Sequence, residues 1–237
     1  MTVPMPPAGA LGKLRALWRE LGPLDASLYL LDRAFARASG DRMRLFKYAI
    51  VAQPVGRASA QVPRPDARTR IERLPAGHRL AAYFPRPPAV IERRWRDGAS
   101  CLGATVSGEF AGFIWWQRGR YEEDEVRCSY VLGDPARCVW DYDVYVEPRF
   151  RLGRTLARLW AAVDGELAAD GVAWSFSRIS AFNRASRAAH ARLGAVERCR
   201  VLFVRIGPVQ LSLLPVAPWL HLSASDRRRP ALRLAAP

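Results

Sequence analysis

The segment DYDVYVEPRFRLGRTLARLW, from Asp141 to Trp160, changes its periodicity halfway along. Its first residues alternate in the manner of a half-buried strand, and Glu147-Pro148 ends that alternation. After a basic turn that contains Gly153, apolar residues return at helical spacing. The segment therefore predicts a strand, a turn and a helix. Because a helix start has unpaired backbone N–H groups and partial positive charge, this junction is a candidate anion site.

The sequence on both sides of this segment predicts one mixed sheet. Strands at 138–146 and 172–180, joined by a helix at 153–170, form a unit whose strands are expected to be parallel and joined by a right-handed crossover. The preceding strands are joined by hairpins such as the tight Ser107-Gly108 turn, so they are expected to be antiparallel. The predicted fold class is α/β (α+β mixed): a splayed mixed sheet, mostly antiparallel, flanked by helices. The other predicted elements are strands at 69–74, 100–106, 110–119, 125–133 and 199–207, short helices within 76–98, and a helix at 183–195.

Three regions follow from these patterns. Residues 1–68 predict an N-terminal helical extension with two helices at 11–38, a strand at 45–55 and a polar linker at 56–69. Residues 69–207 predict the main domain. Residues 208–237 contain five prolines and are expected to form loops. The two N-terminal helices are expected to dock on the domain as a hairpin, and a membrane-surface helix is the alternative.

The charge balance is strongly basic. The chain has 237 residues and a formal net charge of +15, from 37 basic and 22 acidic residues. Lys13 and Lys47 are the only lysines, so arginine supplies nearly all of the positive charge. Arginine suits bidentate contacts with phosphate and carboxylate groups, and a basic field attracts anionic ligands, nucleic acid or membrane surfaces. The alternative is that these charges are simply solvated.

The cysteines and the N-terminal sequence indicate the cellular compartment in which the protein is expected. Cys101, Cys128, Cys138 and Cys199 form no CxxC pair and fit no common zinc spacing, so buried reduced thiols and no metal site are expected. The N-terminus lacks a basic region followed by an apolar run, and no stretch reaches 18 uncharged apolar residues. A cytoplasmic protein without a transmembrane segment is therefore expected.

Two stretches resemble one known family. VEPRFRLGRTLARLW is similar to motif A of the GNAT superfamily of acyl-CoA N-acyltransferases, Val-x-Pro-x-x-Arg-Gly-x-Gly-x-Gly. Val146, Pro148 and Arg151 match this pattern. Its glycine positions carry larger residues here, namely Leu152, Arg154 and Leu156.

The second stretch is NRASRAAHARLGA, residues 183–195, which resembles the Asn-x-x-Ala-x-x-Leu-Tyr-x-Lys-x-Gly-Phe helix of the same family. Asn183, Ser186 and Gly194 fit this pattern. His190 occupies the position at which many members carry a tyrosine that acts as general acid. The resemblance extends over residues 69–207, which is more than half of the chain.

The resemblance implies a binding site for acetyl-CoA or another acyl-CoA as co-substrate. The gap between strands 138–146 and 172–180 would admit the pantetheine arm, and backbone groups near Val144 and Val146 would pair with its amides. Asn183 and Ser186 would lie near the thioester. The residues implied in pyrophosphate binding are Arg151, Leu152, Gly153, Arg154, Thr155 and Leu156.

The resemblance also implies direct attack of an amine on the thioester, which requires a base, oxyanion stabilisation and an acid for the thiolate. Strand alternation predicts that Asp141, Asp143 and Tyr145 share one face, opposite Trp140, Tyr142, Val144 and Val146. Either aspartate is a candidate base, and the alternative is that both pair with nearby arginines. His190 is the candidate acid because its ordinary pKa is near neutrality, and Tyr145 is a second candidate. The acidic run 122–125 is interpreted as a solvated loop, with attraction of a cationic acceptor as the alternative.

The sequence thus predicts an enzyme: an N-acyltransferase that moves an acetyl or other acyl group from acyl-CoA to a small-molecule or protein amine. Two alternatives stay open. A degenerate member, suggested by the missing glycines, would bind acyl-CoA or a partner without turnover. A basic nucleic-acid-associated protein is less favoured, because neither an RNP-like motif nor a helix-turn-helix is present. The acceptor, the acyl length and the oligomeric state are not specified by the sequence.

Overall fold

The computed structural model describes residues 10–56, 64 and 66–237. Most of the predicted linker, residues 57–63 and 65, lies outside the described residues. The first two elements are helices α1 (Ala10–Leu21) and α2 (Pro23–Ser39), separated at Gly22-Pro23 as expected. Helix α2 is tied to the sheet by buried charges, because Asp25 pairs with Lys47 at 2.5 Å and Asp32 pairs with Arg44 at 2.9 Å. The predicted docking on the domain is thus confirmed for α2.

Nine strands form the main sheet, in the order β11-β10-β9-β1-β8-β7-β4-β3-β2. Among the pairs of this sheet, β7 and β8 are parallel and the others are antiparallel. The predicted fold class, a mixed and mostly antiparallel sheet flanked by helices, is confirmed. Its strands are β1 (Met43–Pro54), β2 (Thr69–Arg73), β3 (Ser100–Val106), β4 (Glu109–Arg118), β7 (Cys138–Val146), β8 (Trp174–Ser180), β9 (Val196–Ile206), β10 (Val209–Leu213) and β11 (Leu220–Ser223).

A second sheet of three strands, in the order β12-β6-β5, lies against the first. It comprises β5 (Arg120–Glu122), β6 (Ser129–Leu132) and β12 (Ala231–Leu234), with β12 parallel to β6. The segment 125–133, expected to continue the main antiparallel sheet, therefore contributes β6 to this second sheet instead. Its partner β12 comes from the C-terminal tail, so no local signal in 125–133 indicates the pairing.

Helices cover both faces of the main sheet. Besides α1 and α2 they are α3 (Pro88–Arg96), α4 (Thr155–Ala169) and α5 (Arg184–Arg192), with 3-10 helices at Arg79–Tyr83 and Pro148–Phe150. The apolar side of α4, which includes Leu159 and Val163, packs on the face of the sheet that carries Trp116. The opposite face carries Trp115 and an aromatic core under α3. Trp115 and Trp116 thus face opposite sides, as strand alternation predicts.

The main sheet extends beyond both predicted domain boundaries. Strand β1, assigned from the sequence to the N-terminal extension, lies between β9 and β8 and pairs with both. Its run Leu45–Ala52 is buried on both faces, which is typical of a central strand. The tail after residue 207, expected to form loops, instead contributes β10, β11 and β12. That prediction was wrong because the prolines of the tail lie in the turns between its strands and not inside them.

All four cysteines are free thiols, and Cys101, Cys128 and Cys138 are buried while Cys199 is half-buried. Burial raises the pKa of Cys128 to about 12 and that of Cys199 to about 11, so these thiols are unreactive at neutral pH. Within the described part of the chain, no helix is both long enough and apolar enough to cross a bilayer.

Candidate functional site

A cleft runs through the main sheet at the point where β7 and β8 separate. The two strands pair only from Cys138–Trp174 to Trp140–Phe176, and their later residues are not paired with each other. The cleft has a volume of about 1320 Å³ and is lined from both faces of the sheet. Leu156 and His190 line it on the side of α4 and α5, and Arg86 and Arg94 line it on the side of α3. The splay predicted between the two halves of the sheet is therefore present.

A bulge in β7 decides which side chains enter the cleft. Opposite Phe113 and Trp115 the register shifts, so that β7 accommodates an extra residue between Tyr142 and Tyr145. Asp143 takes up this irregularity with a φ of 48°, which is unusual for a residue other than glycine. The prediction that Asp141, Asp143 and Tyr145 share one face was wrong for Asp141. Asp143 lies on the α3 side, whereas Asp141 lies on the α4 side.

The same bulge corrects the opposite set. Trp140 and Tyr142 pack in the aromatic core on the α3 side, while Val144 and Val146 pack with α4. These four residues were expected to share one face of the strand, and they do not. The alternation that holds before residue 142 is reversed after it, because one extra residue in the strand shifts the phase of every later side chain.

Asp141 is a buried carboxyl group beside a hydroxyl. The side chain lines the cleft, is 3% exposed, and accepts a hydrogen bond of 2.6 Å from Oγ of Ser175. No ion pair to Asp141 exists among the residues that the structure describes. Burial raises the pKa of Asp141 to about 7, and the hydrogen bond from Ser175 opposes only part of that shift. Asp141 can therefore accept and release a proton near neutral pH.

Asp143 has the opposite surroundings. Its carboxylate accepts a hydrogen bond of 2.9 Å from Nε of Arg86 and also pairs with Nη1 of Arg94, whose side chain is almost fully buried. Arg94 in turn bonds Asp124 at 2.8 Å. The alternative interpretation, that an aspartate of this strand pairs with arginines, thus describes Asp143. Two guanidinium groups thus hold this carboxylate in place.

The interpretation of the acidic run 122–125 as a solvated loop was wrong for Glu123, whereas Glu122, Asp124 and Glu125 are exposed. Glu123 is 1% exposed and pairs with Arg178, with 3.0 Å between Oε1 and Nη2. The amides of Asp124 and Glu125 also donate to Glu123 Oε1, at 2.9 Å and 3.2 Å. Glu125 accepts a hydrogen bond of 2.5 Å from the hydroxyl of Tyr48. These groups form part of the cleft wall on the α3 side.

His190 lies in the cleft between α4 and β1. Nδ1 is 3.0 Å from Oε1 of Gln53, and the edge of the ring meets Trp160 with 5.6 Å between centroids. Burial lowers the pKa of His190, so the neutral ring predominates at pH 7. With the proton on Nδ1, as the contact with the Gln53 carbonyl requires, Nε2 carries a lone pair. The environment thus favours proton acceptance or relay, and the predicted role as acid stays a prediction.

Two other predicted residues have structural partners. Tyr145 donates a hydrogen bond of 3.1 Å to Glu147 and stacks on Phe113 with 5.6 Å between centroids, and it is not part of the cleft lining. Asn183 caps α5 by accepting a hydrogen bond of 3.0 Å from the amide of Ser186. Both Asn183 and Ser186 line the cleft, and the amide group of Asn183 keeps its N–H donors for other partners.

The predicted anion site is the first turn of α4, which begins at Thr155. The amides of this turn have no partner within the helix and open towards the cleft, where Gly153 and Leu156 line the wall. Arg151 also lines the cleft, and its Nε donates a hydrogen bond of 3.0 Å to the carbonyl oxygen of Val146. The carbonyl oxygen of Val146 therefore already accepts a hydrogen bond from Arg151. Val144 lines the cleft.

The larger residues at the glycine positions do not plug the cleft. Leu152 is fully exposed to solvent, and Arg154 is exposed at the position before α4. Neither side chain belongs to the cleft lining, whereas Leu156 does. The turn thus leaves the entrance open without glycine at 152 or 154.

Sequence reasoning missed several residues of the site. Gln53 comes from β1, Ser175 from β8 and Arg94 from α3, and each contacts a residue that was predicted. Their only local signal is a polar side chain in an apolar strand or amphipathic helix. Long-range pairing of β1 with β8, which places Gln53 opposite Ser175, brings two of them together.

No protein-family model matches the chain, and no curated protein matches its sequence. Among solved structures, a conserved protein of unknown function from Staphylococcus epidermidis matches with a TM-score of 0.49 and 11% identity, covering 76% of this chain and 67% of that one. A tandem GNAT protein from the clavulanic acid biosynthesis pathway matches with a TM-score of 0.49 and 17% identity, covering 74% and 58%. An acetyltransferase assigned to the GNAT family from Novosphingobium aromaticivorans matches with 0.42 and 20% identity, covering 68% and 65%.

These similar structures include members of the family that the two sequence motifs resemble. The chain spans less than two thirds of the length of both GNAT proteins. With TM-scores below 0.5 and identities of 20% or less, the chemistry of this protein has to be argued from the residues of its own cleft.

Proposed function

We propose that the protein is an acyl-CoA-dependent N-acyltransferase that acts by direct attack of an amine on the thioester. One observation carries the proposal: the cleft that opens where β7 and β8 separate joins the first turn of α4 to a buried carboxyl group with a pKa of about 7. Acyl-CoA is elongated, with an anionic diphosphate end and a reactive thioester end. Its site therefore requires an anion-binding helix start and a proton-accepting group in one continuous cleft.

The residues present suit acyl-CoA. The first-turn amides of α4, with Gly153 and Arg151, offer hydrogen-bond donors and positive charge to the diphosphate. The pantetheine arm would pass Val144, whose strand has left its neighbour β8 at this point. Asn183 could donate its side-chain N–H groups near the thioester, since its oxygen is occupied by the cap of α5.

The reaction would place its proton transfers on the side of the cleft formed by α4 and α5, where both Asp141 and His190 lie. The amine nitrogen loses a proton to Asp141 and forms a bond with the thioester carbonyl carbon, and the C–S bond then breaks. The departing thiolate takes up a proton, either from the acid form of Asp141 or through His190. Asp141 suits the first step because burial sets its pKa near the operating pH.

The α3 side of the cleft would receive the acceptor. Its lining includes paired charges, namely Arg86 and Arg94 with Asp143, Arg94 with Asp124, and Arg178 with Glu123. A wall of paired charges is rigid and offers hydrogen bonds to polar acceptors without requiring one sign of charge. The proposal therefore specifies an amine and leaves the rest of the acceptor open.

The test is transfer itself. Purified protein is incubated with a mixture of acyl-CoA thioesters and a panel of amines, and free thiol and acylated amine are followed by absorbance and mass spectrometry. The proposal requires that thiol release depend on the amine and equal the amount of acylated product. Saturable thioester binding without amine-dependent release would instead support a binding protein without turnover, and the proposed enzyme would be rejected.

A further inference from the structure

Strands β10 and β11 have their polar and apolar faces reversed. Gln210, Ser212 and Ser223 are buried, with 2% exposure or less, whereas Leu220 and Leu222 are 61% and 66% exposed. An antiparallel sheet with one solvated face normally buries its apolar side and exposes its polar side. The exposed leucines thus lie where an uncovered sheet would carry polar residues.

The reversal is fixed by specific hydrogen bonds on the buried side. The amide of Arg127 donates to Oε1 of Gln210 at 2.8 Å, and Nε2 of Gln210 donates to the carbonyl of Arg127 at 2.9 Å. Nε2 also donates to Oγ of Ser212 at 3.0 Å. A one-residue slip of the strand would break all of these bonds, so the outward direction of the leucines is not an alternative register.

The exposed side chains form one continuous surface, which we call the aliphatic face. Cross-strand pairs place Leu213 opposite Leu220 and Leu211 opposite Leu222. The next strand continues the surface, and several of these side chains are substantially exposed. The aliphatic face consists of Leu202, Val204 and Ile206 from β9, Val209, Leu211 and Leu213 from β10, and Leu220 and Leu222 from β11.

Six of the eight residues of this surface lie in the longest stretch of the chain without formal charge. Residues 206–225 contain no Lys, Arg, Asp or Glu over 20 positions, in a chain that is 25% charged. The opposite edge of the same sheet is different, because the five residues of β2 include Arg70, Glu72 and Arg73. Charged edge strands discourage association, and β11, the edge strand at this end of the sheet, lacks that protection.

We propose that the aliphatic face is the contact surface of a homodimer, in which a second copy of this chain packs its own aliphatic face against it across a two-fold axis. Two copies with a net charge of +15 each repel over most of their surface, and an uncharged face is where they can meet without opposing arginines. Two flat sheet faces pack with their side chains interdigitated, and a two-fold axis makes the same patch complementary to itself.

A membrane surface fits the charge distribution less well. Proteins that lie on bilayers place basic residues around the apolar residues, where they meet anionic headgroups. Here Arg205 and Arg229, which flank the segment of β10 and β11, line the cleft on the other face of the sheet, and Arg200 on β9 pairs with Glu197. The occupant expected on the aliphatic face is therefore an uncharged protein surface, which a second copy supplies.

The experiment measures mass in solution by sedimentation velocity and light scattering over a wide range of concentrations. The full chain is compared with Leu220→Asp/Leu222→Asp and with the milder Leu222→Thr, which keeps a residue that favours strands. Val196→Asp is the matched control, because Val196 is an exposed aliphatic residue on β9 at the far end from β10. Circular dichroism verifies that each variant is folded.

We expect a dimer for the full chain and for Val196→Asp, a monomer for the double variant, and at least about a tenfold higher dissociation constant for Leu222→Thr. A full chain that stays monomeric at every concentration would overturn the proposal. A dimer that the folded Leu222→Thr variant retains with unchanged affinity would also overturn it. Flotation of the full chain with vesicles of phosphatidylcholine and phosphatidylglycerol, lost in Leu222→Thr, would reassign the face to a membrane.

Discussion

Asp141 and Asp143 are two residues apart on β7, yet they lie on opposite faces of the sheet in contrasting electrostatic surroundings. Asp141 has a serine hydroxyl as its partner and a pKa of about 7. Asp143 has two arginines as partners and a strained backbone. One strand thus presents a carboxyl group that can exchange protons and a carboxylate that is held by two arginines. The bulge between them separates a candidate catalytic residue, Asp141, from a candidate structural residue, Asp143.

The environment of a buried carboxyl group depends on the charge of its partners as well as on its desolvation. Both aspartates are largely shielded from water, so burial alone does not distinguish them. The difference lies in the partners: Arg86 and Arg94 pair with Asp143, whereas Ser175 offers Asp141 one neutral hydrogen bond. Perturbed acids in clefts are functional candidates, and paired acids are commonly structural.

The largest expected effect is that of Asp141→Asn on turnover. An amide cannot accept the proton of the attacking amine, so kcat for acyl transfer should fall about 10²–10⁴-fold. The affinity for acetyl-CoA should stay within about twofold, since the proposed diphosphate contacts lie at α4. Steady-state kinetics and calorimetric titration of both proteins would measure the two effects separately, and an unchanged kcat would remove Asp141 from the mechanism.

The same residue should make stability depend on pH. Its pKa is about 7 in the folded chain against an ordinary value of 3.8, so the folded state holds a proton that the unfolded state has lost. This contribution is complete below about pH 4 and is lost as the pH rises through about 7, which amounts to about 4 kcal/mol. Urea denaturation across this range should show that decrease in the wild type relative to Asp141→Asn. Parallel curves for the two proteins would contradict the shifted pKa.

Asp143 should behave in the opposite way. Asp143→Asn keeps a residue that tolerates positive φ but removes the charge, leaving buried Arg94 with only Asp124 as an ionic partner. The free energy of unfolding at neutral pH should fall by about 3 kcal/mol, since breaking a buried ion pair strands the remaining charge. Denaturation by urea gives this value. If Asp143→Asn were as stable as the wild type while losing turnover, the roles of the two aspartates would have to be exchanged.

The smallest of these effects separates two arginines of the turn before α4. Arg151 lines the cleft and Arg154 does not, although both precede the helix by a few residues. Arg151→Ala should weaken acetyl-CoA binding about tenfold, the size expected for one charge-assisted contact with phosphate. Arg154→Ala is the matched control and should change the dissociation constant less than about twofold. Equal losses in both variants would indicate long-range charge attraction and not a specific contact.

The parts of the fold that the sequence predicts are those governed by local patterns. Gly22-Pro23 separates α1 from α2, Ser107-Gly108 closes the β3–β4 hairpin, and the helical spacing after Gly153 gives α4. The crossover from β7 to β8 follows from the same reasoning, because a strand, a helix and a strand in succession favour parallel pairing. The opening between β7 and β8 was predicted from the same order of strands.

The parts that were not predicted depend on distant partners or on a single unusual backbone angle. Nothing in residues 43–54 indicates that β1 inserts between β8 and β9, since that pairing joins segments more than a hundred residues apart. The φ of 48° at Asp143 has no glycine to signal it. For the site, His190 and Arg151 were named from motifs and Asp141 from strand alternation, whereas Gln53, Ser175 and Arg94 required the assembled sheet.

The most direct test of the central claim is whether blocking the cleft beside α5 blocks acyl-CoA binding. Ala185 lines the cleft and is exposed, and Ala188 on the same helix is exposed outside it, so Ala185→Trp and Ala188→Trp form a matched pair. Calorimetric titration with acetyl-CoA should show one saturable site in the wild type and in Ala188→Trp, and at least about tenfold weaker binding in Ala185→Trp. Absence of saturable binding in the wild type, or equal affinity in all three proteins, would contradict the assignment of this cleft to a coenzyme A thioester.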